Sequence, residues 1–326
     1  MSDAIGIKEI EAAAERLAGH ARRTPLLSSP LLDEIAGRRV FVKAECLQHT
    51  GSFKFRGAWS AISNLPKKTR GVIAFSSGNH AQGVALAAQR HGLPAVIVMP
   101  QDAPQLKLAN TAALGAEVVL YVRGKENRDE IGERLAEERG LTLIRPFDDP
   151  DVIAGQGTAG LEIAEQMAGE DVGALDVISC CGGGGLTSGI ALALADRRPD
   201  WSVRTAEPEN FDDVARSLET GEVQENPRED GSICDAIVTP RPGKLTFPIL
   251  KRLCGPGLVA TDEECLQAMA IAFLRLKIVL EPGGAAALAA ALFRKDQIEG
   301  ESVVVVASGG NVDPGLFASA LQQYGR

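Results

Sequence analysis

Lys54 stands between Phe53 and Phe55, with Gly51 and Ser52 before it and Arg56 and Gly57 after it. An aromatic, partly dry setting disfavours an ammonium ion and lowers the lysine pKa. A neutral lysine amine is a nucleophile that condenses with a carbonyl to a Schiff base. A lone lysine after a turn is ordinarily a surface residue, so the chemistry needs other parts. Three further small-polar, glycine-rich segments supply them: residues 76–80 (SSGNH), 182–185 (GGGG) and 308–311 (SGGN).

Gly182, Gly183, Gly184 and Gly185 follow an apolar strand and precede a helix opening at Leu186. Glycines let backbone N–H groups approach an anion, and a helix N-terminus adds its dipole, a combination suited to a phosphate. The run also reads as a flexible turn, or as the start of a dinucleotide fingerprint and hence of a NAD-dependent oxidoreductase. That fingerprint lacks its third glycine, because position 187 is Thr187, and no acidic residue closes a second strand at the usual distance. Residues 76–80 read as the cap of a helix from Gln82, through Ser77 or Asn79. Residues 207–213 (EPENFDD) are either a solvated charge run or an oxygen-rich loop for a hard divalent cation. Arg128, at a helix start, is a surface ion-pair residue or a reader of a second substrate carboxylate. His49 reads as structural.

These segments need a frame, and 326 residues suffice for a sizeable core in two lobes. Apolar runs recur at 40–42, 72–75, 95–99, 117–121, 141–144, 177–179, 203–206 and 303–307. Several are continuously apolar, as strands buried on both faces are. Ala-, Leu-, Glu- and Arg-rich stretches at 9–18, 82–90, 128–139, 158–167 and 284–294 predict helices between them, and Thr261 with Glu264 forms a capping box for another. Alternation of this kind gives right-handed βαβ units and parallel sheets. Ligands bind beyond the C-terminal ends of such strands. Three of the four chemical segments fall there, after Phe75, Cys180 and Ala307. A net charge of −9 gives nucleic-acid binding no electrostatic support. There is no secretory signal and no apolar run of membrane-spanning length. Six cysteines lack a CxxC pair or metal-ligand spacing with the four histidines, so a cytoplasmic enzyme is expected.

Taken in order, SFKFRGA at 52–58, SSGNHAQG at 76–83, DDPDVIAGQGT at 148–158, GGGGL at 182–186, AEPENFDD at 206–213, EPGGAA at 281–286 and SGGN at 308–311 resemble the fold-type II family of pyridoxal-phosphate enzymes. The closer likeness is to its serine/threonine dehydratase and serine racemase branch. The resemblance implies a tryptophan synthase β-like α/β fold, two open parallel-sheet lobes with the cofactor between them. It implies a large domain of 1–67 plus 146–326 and a small domain of 68–145. It makes Lys54 the residue that holds pyridoxal 5'-phosphate and then takes the Cα proton. Phe53 becomes part of one cofactor wall, Gly182 to Gly185 with Leu186 the phosphate site, and Ser308 the partner of the pyridine nitrogen. Ser76, Ser77, Asn79 and His80 surround the substrate carboxylate, with the Asn79 side chain also on the cofactor's 3'-oxygen. The resemblance further implies a Mg²⁺ or Ca²⁺ site on Glu207, Asp213 and the Phe211 carbonyl, with Phe211 standing where small residues are common.

The activity so implied is β-elimination of water from serine or threonine to a 2-oxo acid and ammonia, in a homodimer. The chain ends soon after Asn311, which implies the catabolic type, insensitive to isoleucine. A threo-3-hydroxyaspartate dehydratase stays open. So does a serine racemase, in which Ser77 would carry protons on the face opposite Lys54. A non-catalytic amino-acid sensor on the same fold is disfavoured by the intact Lys54.

Overall fold

The runs 302–306 and 95–100 are apolar almost throughout, and such strands are stable only when helices cover both faces. The structure, a computed structural model, describes residues 5–325 apart from 77, 104, 174 and 229. It forms two sheets. One has six strands, β1 (Leu26–Leu27), β2 (Arg39–Lys43), β10 (Ser302–Val306), β7 (Asp176–Cys180), β8 (Ser202–Pro208) and β9 (Leu258–Ala260), lying side by side in that order. The other has four, in the order β5 (Glu117–Tyr121), β4 (Ala95–Pro100), β3 (Val72–Phe75) and β6 (Thr142–Leu143). Every pairing is parallel except β1 with β2. β10, β7 and β4 are buried along their whole length, whereas β5 at its sheet edge exposes Glu117 and Leu120 and buries only Tyr121. These are the two parallel-sheet lobes expected of the fold.

Helix boundaries follow local chemistry. Asp149 caps Pro150–Gln166 by accepting from the N–H groups of Asp151 and Val152, with Pro150 in the first turn where its missing donor is no loss. The helix therefore starts eight residues before the expected 158, at an Asp-Pro signal. Asn79 opens the helix Asn79–His91 from inside, and the cap position is Gly78 with no side-chain bond. The reading of Asn79 as a cap is corrected accordingly: its amide is engaged elsewhere. The Ala-rich helix Pro282–Phe293 is buried from Pro282 to Leu292 and packs on β7, β8, β9 and β10.

Three helices bring the chemical segments together: Lys54–Ser63, Pro150–Gln166 and Gly185–Arg197. They cross closely because small residues meet. A Cβ at Gly155 would lie 2.5 Å from the Arg56 carbonyl, and one at Gly189 would lie 2.5 Å from the Ile153 carbonyl. Both obstacles are backbone and cannot turn aside. Gly189→Ala is therefore expected to force these helices apart and to destabilise the protein by about 1–3 kcal/mol. A thermal or denaturant midpoint equal to that of the parent protein would show that the crossing tolerates a methyl group.

Candidate active site

A cleft of about 1360 Å³ opens between the two sheets. Lys54 lies on its wall, at the first turn of the helix Lys54–Ser63. The segment before it is fixed to the end of β10, with Ser52 bridged to Gly309 and the Phe53 N–H donating to the Ser308 carbonyl at 3.1 Å. The Lys54 ammonium donates to the Pro146 carbonyl at 2.8 Å and lies 5.1 Å from the centre of the Phe53 ring. Burial lowers its pKa to about 8, against the opposing pull of Glu281. A carbonyl and an aromatic face give the cation too little compensation for lost water.

The helix carrying Lys54 is pinned from behind by Arg56, whose side chain is 1% exposed. Its guanidinium donates to both oxygens of Glu45 at 2.8 Å and to both of Glu162 at 2.7 and 2.9 Å. Lys43, also fully buried, donates to Glu162 at 2.5 Å, to Gln166 at 2.9 Å and to the Thr24 carbonyl at 2.8 Å. Two buried cations thus meet two carboxylates, and the charges balance. Only Arg56 of this group stood out in the sequence, as a neighbour of Lys54, since its partners lie far along the chain.

Opposite Lys54, the four glycines make a cradle into which no side chain fits. A Cβ at Gly183 would lie 2.3 Å from the Phe147 ring, and one at Gly185 would lie 2.7 Å from Gln156 Oε1. Gly184 has φ +93°, which L side chains rarely adopt. The Gly183 carbonyl is turned outward, accepting from Thr246 Oγ1 at 2.6 Å and from the Gly243 N–H at 3.2 Å. Gly185 and Leu186 open the helix Gly185–Arg197, so the first N–H groups there have no intrahelical acceptor. These are the features a phosphate group requires, and they fit pyridoxal phosphate.

Asn79 donates to Glu281 Oε1 at 2.5 Å and accepts from Asn311 Nδ2 at 2.6 Å; the same Asn311 amide also donates to the Thr50 carbonyl at 2.7 Å. Glu281 stands at the N-cap position of the helix Pro282–Phe293 without a side-chain capping bond, buried and lining the cleft. Burial pushes its carboxyl up to about 7, opposed by the Asn79 hydrogen bond. It is the residue that sequence reasoning passed over, although the Glu-Pro pair announces a helix start pointing into the site. The His80 ring bonds the Ile144 carbonyl at 2.9 Å, and burial, aided by the Lys54 charge, drops its pKa to about 3. It is a neutral imidazole, and the donors left for an anion on this side are the N–H groups at the helix start. Ser76 lines the cleft and accepts from the Gly78 N–H at 3.2 Å. Ser308 is buried just past β10, where its hydrogen bonds to Cys180 oppose the burial that raises that thiol to about 11. Ser77 lies outside the described residues. Arg128 lines the cleft mouth with Arg145, while His49 rests edge-on against Phe55 at 4.9 Å.

Glu207, at the end of β8, and Asp213, at the start of the helix Asp213–Thr220, are both buried. Glu207 accepts from the N–H groups of Val214 at 2.9 Å and Ala215 at 2.7 Å. Asp213 Oδ1 accepts from Asn226 at 2.6 Å, while its Oδ2 is buried without a partner. Burial, and then the Asp213 charge, push the Glu207 carboxyl well up, and burial lifts Asp213 to about 7. The Phe211 ring is buried beneath the Arg228 guanidinium at 5.4 Å, so its bulk is accommodated. Among the described residues no three His, Cys, Asp or Glu side chains cluster to hold a metal. A hard cation here would take two carboxylates and complete its shell with backbone or water oxygens, a donor set that fits Mg²⁺ or Ca²⁺.

A family model described as pyridoxal-phosphate dependent enzyme matches residues 17–309. The chain is 46% identical to an L-threo-3-hydroxyaspartate ammonia-lyase of Pseudomonas sp over 95% of this chain and 96% of that protein. It is 40% identical to a serine racemase of Schizosaccharomyces pombe, covering 97% of each. A crystal structure of a T.th. threonine deaminase superposes with a TM-score of 0.90 at 45% identity, over 94% of this chain and 99% of that one. This chain belongs to the pyridoxal-phosphate dependent enzyme family, in its fold-type II branch, and pyridoxal phosphate is its cofactor. No helix among the described residues is long and apolar enough to cross a membrane.

The depressed lysine has a measurable signature in the cofactor-free protein. Below pH 8 the amine is charged in both folded and unfolded chains, and the folded chain bears the full desolvation penalty. Between 8 and the ordinary 10.5 only the unfolded chain keeps the proton, and the penalty fades as pH rises. Lys54→Met is thus expected to stabilise the cofactor-free protein by about 1–3 kcal/mol below pH 8. That gain should shrink towards pH 10.5, as read by denaturant titration at pH 7 and pH 10. A gain independent of pH would contradict the burial argument.

Proposed function

We propose that this protein removes water from 3-hydroxy amino acids, serine and threonine among them, giving a 2-oxo acid and ammonia. The observation that carries the reading is the desolvated Lys54 amine facing a phosphate cradle across a cleft large enough for cofactor and substrate. Gly182, Gly183, Gly184, Gly185 and Leu186 would hold the phosphate, Phe53 one face of the ring, Asn79 the 3'-oxygen and Ser308 the pyridine nitrogen. Bound there, pyridoxal phosphate supplies a carbonyl for the amino group and an electron sink for the Cα–H pair. Ser308, a neutral hydroxyl, would hold the ring nitrogen without keeping it protonated as a carboxylate would, a setting that would suit prompt elimination. The Lys54 amine would take the Cα proton of a substrate held in the cleft. Ser76, Ser77, His80 and the adjoining helix start would receive the substrate carboxylate, through backbone donors in the case of His80.

One observation favours a narrower substrate. Arg128 and Arg145 both line the cleft, and a second carboxylate such as that of threo-3-hydroxyaspartate would meet them there. The 46% identical relative bears that substrate in its name. The two sheets support a division into 1–67 plus 146–326 and 68–145. Five buried, unpaired cysteines of six support a cytoplasmic setting, and the homodimer rests on the family resemblance. The partnerless Asp213 Oδ2 supports Mg²⁺ or Ca²⁺ on Glu207, Asp213 and the Phe211 carbonyl.

The test is 2-oxo acid release from L-serine, L-threonine and the hydroxyaspartate isomers by the cofactor-loaded protein, with D-serine formation followed in parallel. Lys54→Ala is expected to abolish turnover of every substrate. Arg128→Ala is expected to lower kcat/KM for hydroxyaspartate at least tenfold while changing serine little. Near-normal rates in Lys54→Ala would sink the elimination mechanism, and equal losses on both substrates in Arg128→Ala would sink the dicarboxylate reading.

A further inference from the structure

The carboxylate pair and the phosphate cradle are joined by two sets of hydrogen bonds with the backbone of residues 240–243 between them. The first begins at Asp213, whose Oδ1 accepts from Asn226 Nδ2 at 2.6 Å. The second Asn226 Nδ2 hydrogen goes to the Thr239 carbonyl at 2.8 Å, and the Asn226 N–H goes to the Pro240 carbonyl at 2.8 Å. Arg216 Nη2 donates to the remaining Asn226 oxygen at 2.7 Å, so the amide can neither flip nor drift without losing a partner. Asn226 thereby pinches the neck of the segment 227–238, which contributes Ser232, Ala236 and Ile237 to the cleft wall. The chain continues from Pro240 to Gly243 and Thr246, and both of these donate to the Gly183 carbonyl. A peptide unit held by its carbonyl has its neighbouring N–H groups aimed as well, and those N–H groups are what the cradle offers an anion.

We propose that Asn226 is a positioning residue that couples cation occupancy at Glu207 and Asp213 to the set of the phosphate cradle. The proposal rests on the cation reading above. A cation on the free Asp213 oxygen fixes that carboxylate, the fixed carboxylate fixes the Asn226 amide, and the amide fixes the strap at 239–246 against Gly183. Coupling of this kind is reciprocal: if the cation tightens cofactor binding, the cofactor must tighten cation binding by the same factor.

Mn²⁺ is the probe. Its dissociation constant is read from the free-ion electron paramagnetic resonance signal on cofactor-loaded and cofactor-stripped protein, and cofactor affinity is read by fluorescence with and without Mn²⁺. The parent protein is expected to bind Mn²⁺ about fivefold or more tightly when loaded, with the same factor in the reverse experiment. In Asn226→Ala, Mn²⁺ should still bind the stripped protein while the factor falls to near one. Thr246→Val attacks the other end of the route, leaves both carboxylates and Asn226 in place, and should also lower the factor; it decides the matter if Asn226→Ala does not fold. A merely structural role for Asn226 would lower the midpoint of unfolding and leave the factor unchanged, and that result overturns the proposal. Equal Mn²⁺ affinity of loaded and stripped parent protein overturns the coupling but keeps the cation site. No Mn²⁺ binding at all overturns both.

Discussion

A guanidinium taken wholly out of water holds the reactive end of this molecule in place. Arg56 lies two residues beyond Lys54 on the same helix, and its contacts with Glu45 and Glu162 tie that helix to the segment after β2 and to the helix Pro150–Gln166. Removing either kind of partner would strand a charge in the interior, a loss of about 3–5 kcal/mol for buried pairs. The clamp therefore tolerates little displacement, and the amine at the helix start inherits that rigidity. A desolvated lysine is useful only if it cannot swing out to water, so the clamp behind it is as much a part of the site as the aromatic ring beside it.

The short segment from Ile144 to Asp148 ties the parts of the site to one another. The Ile144 carbonyl receives the His80 ring, the Pro146 carbonyl receives the Lys54 ammonium, and the Asp148 carboxylate receives the N–H groups of Lys244 and Leu245. Alternate residues of one strap thus touch the helix Asn79–His91, the Lys54 amine and the strap over the glycine cradle. This segment leaves the four-stranded sheet after β6 and enters the capped helix Pro150–Gln166, so it joins the two sheets while contacting all three parts of the site.

Much of this was legible in the sequence because it is local. Continuous apolar runs disclosed the central strands, and glycine runs after strands disclosed the cradle. An aromatic-flanked lysine disclosed the buried amine on the cleft wall, since each of these signals is a property of neighbouring residues. What escaped notice is non-local. Asn79 looked like a helix cap, but its amide donates to Glu281, 202 residues away. His80 looked like a donor to an anion, but its ring is turned to a backbone carbonyl and is uncharged. Glycines at 155 and 189 are needed only because another helix passes within contact distance, a fact no window of sequence contains.

The aromatic ring lodged against the second glycine of the cradle has a further meaning. Phe147 fills the volume that any side chain at Gly183 would need. The two positions form a lock with one key: the backbone can come close to a phosphate only while the glycine stays bare, and the bare glycine leaves a hollow that only a ring of this size fills. Over evolutionary time such a pair is expected to move as a unit. A descendant that gained a side chain at 183 would have to surrender the ring at 147, and with it the packing that shapes the strap between the sheets.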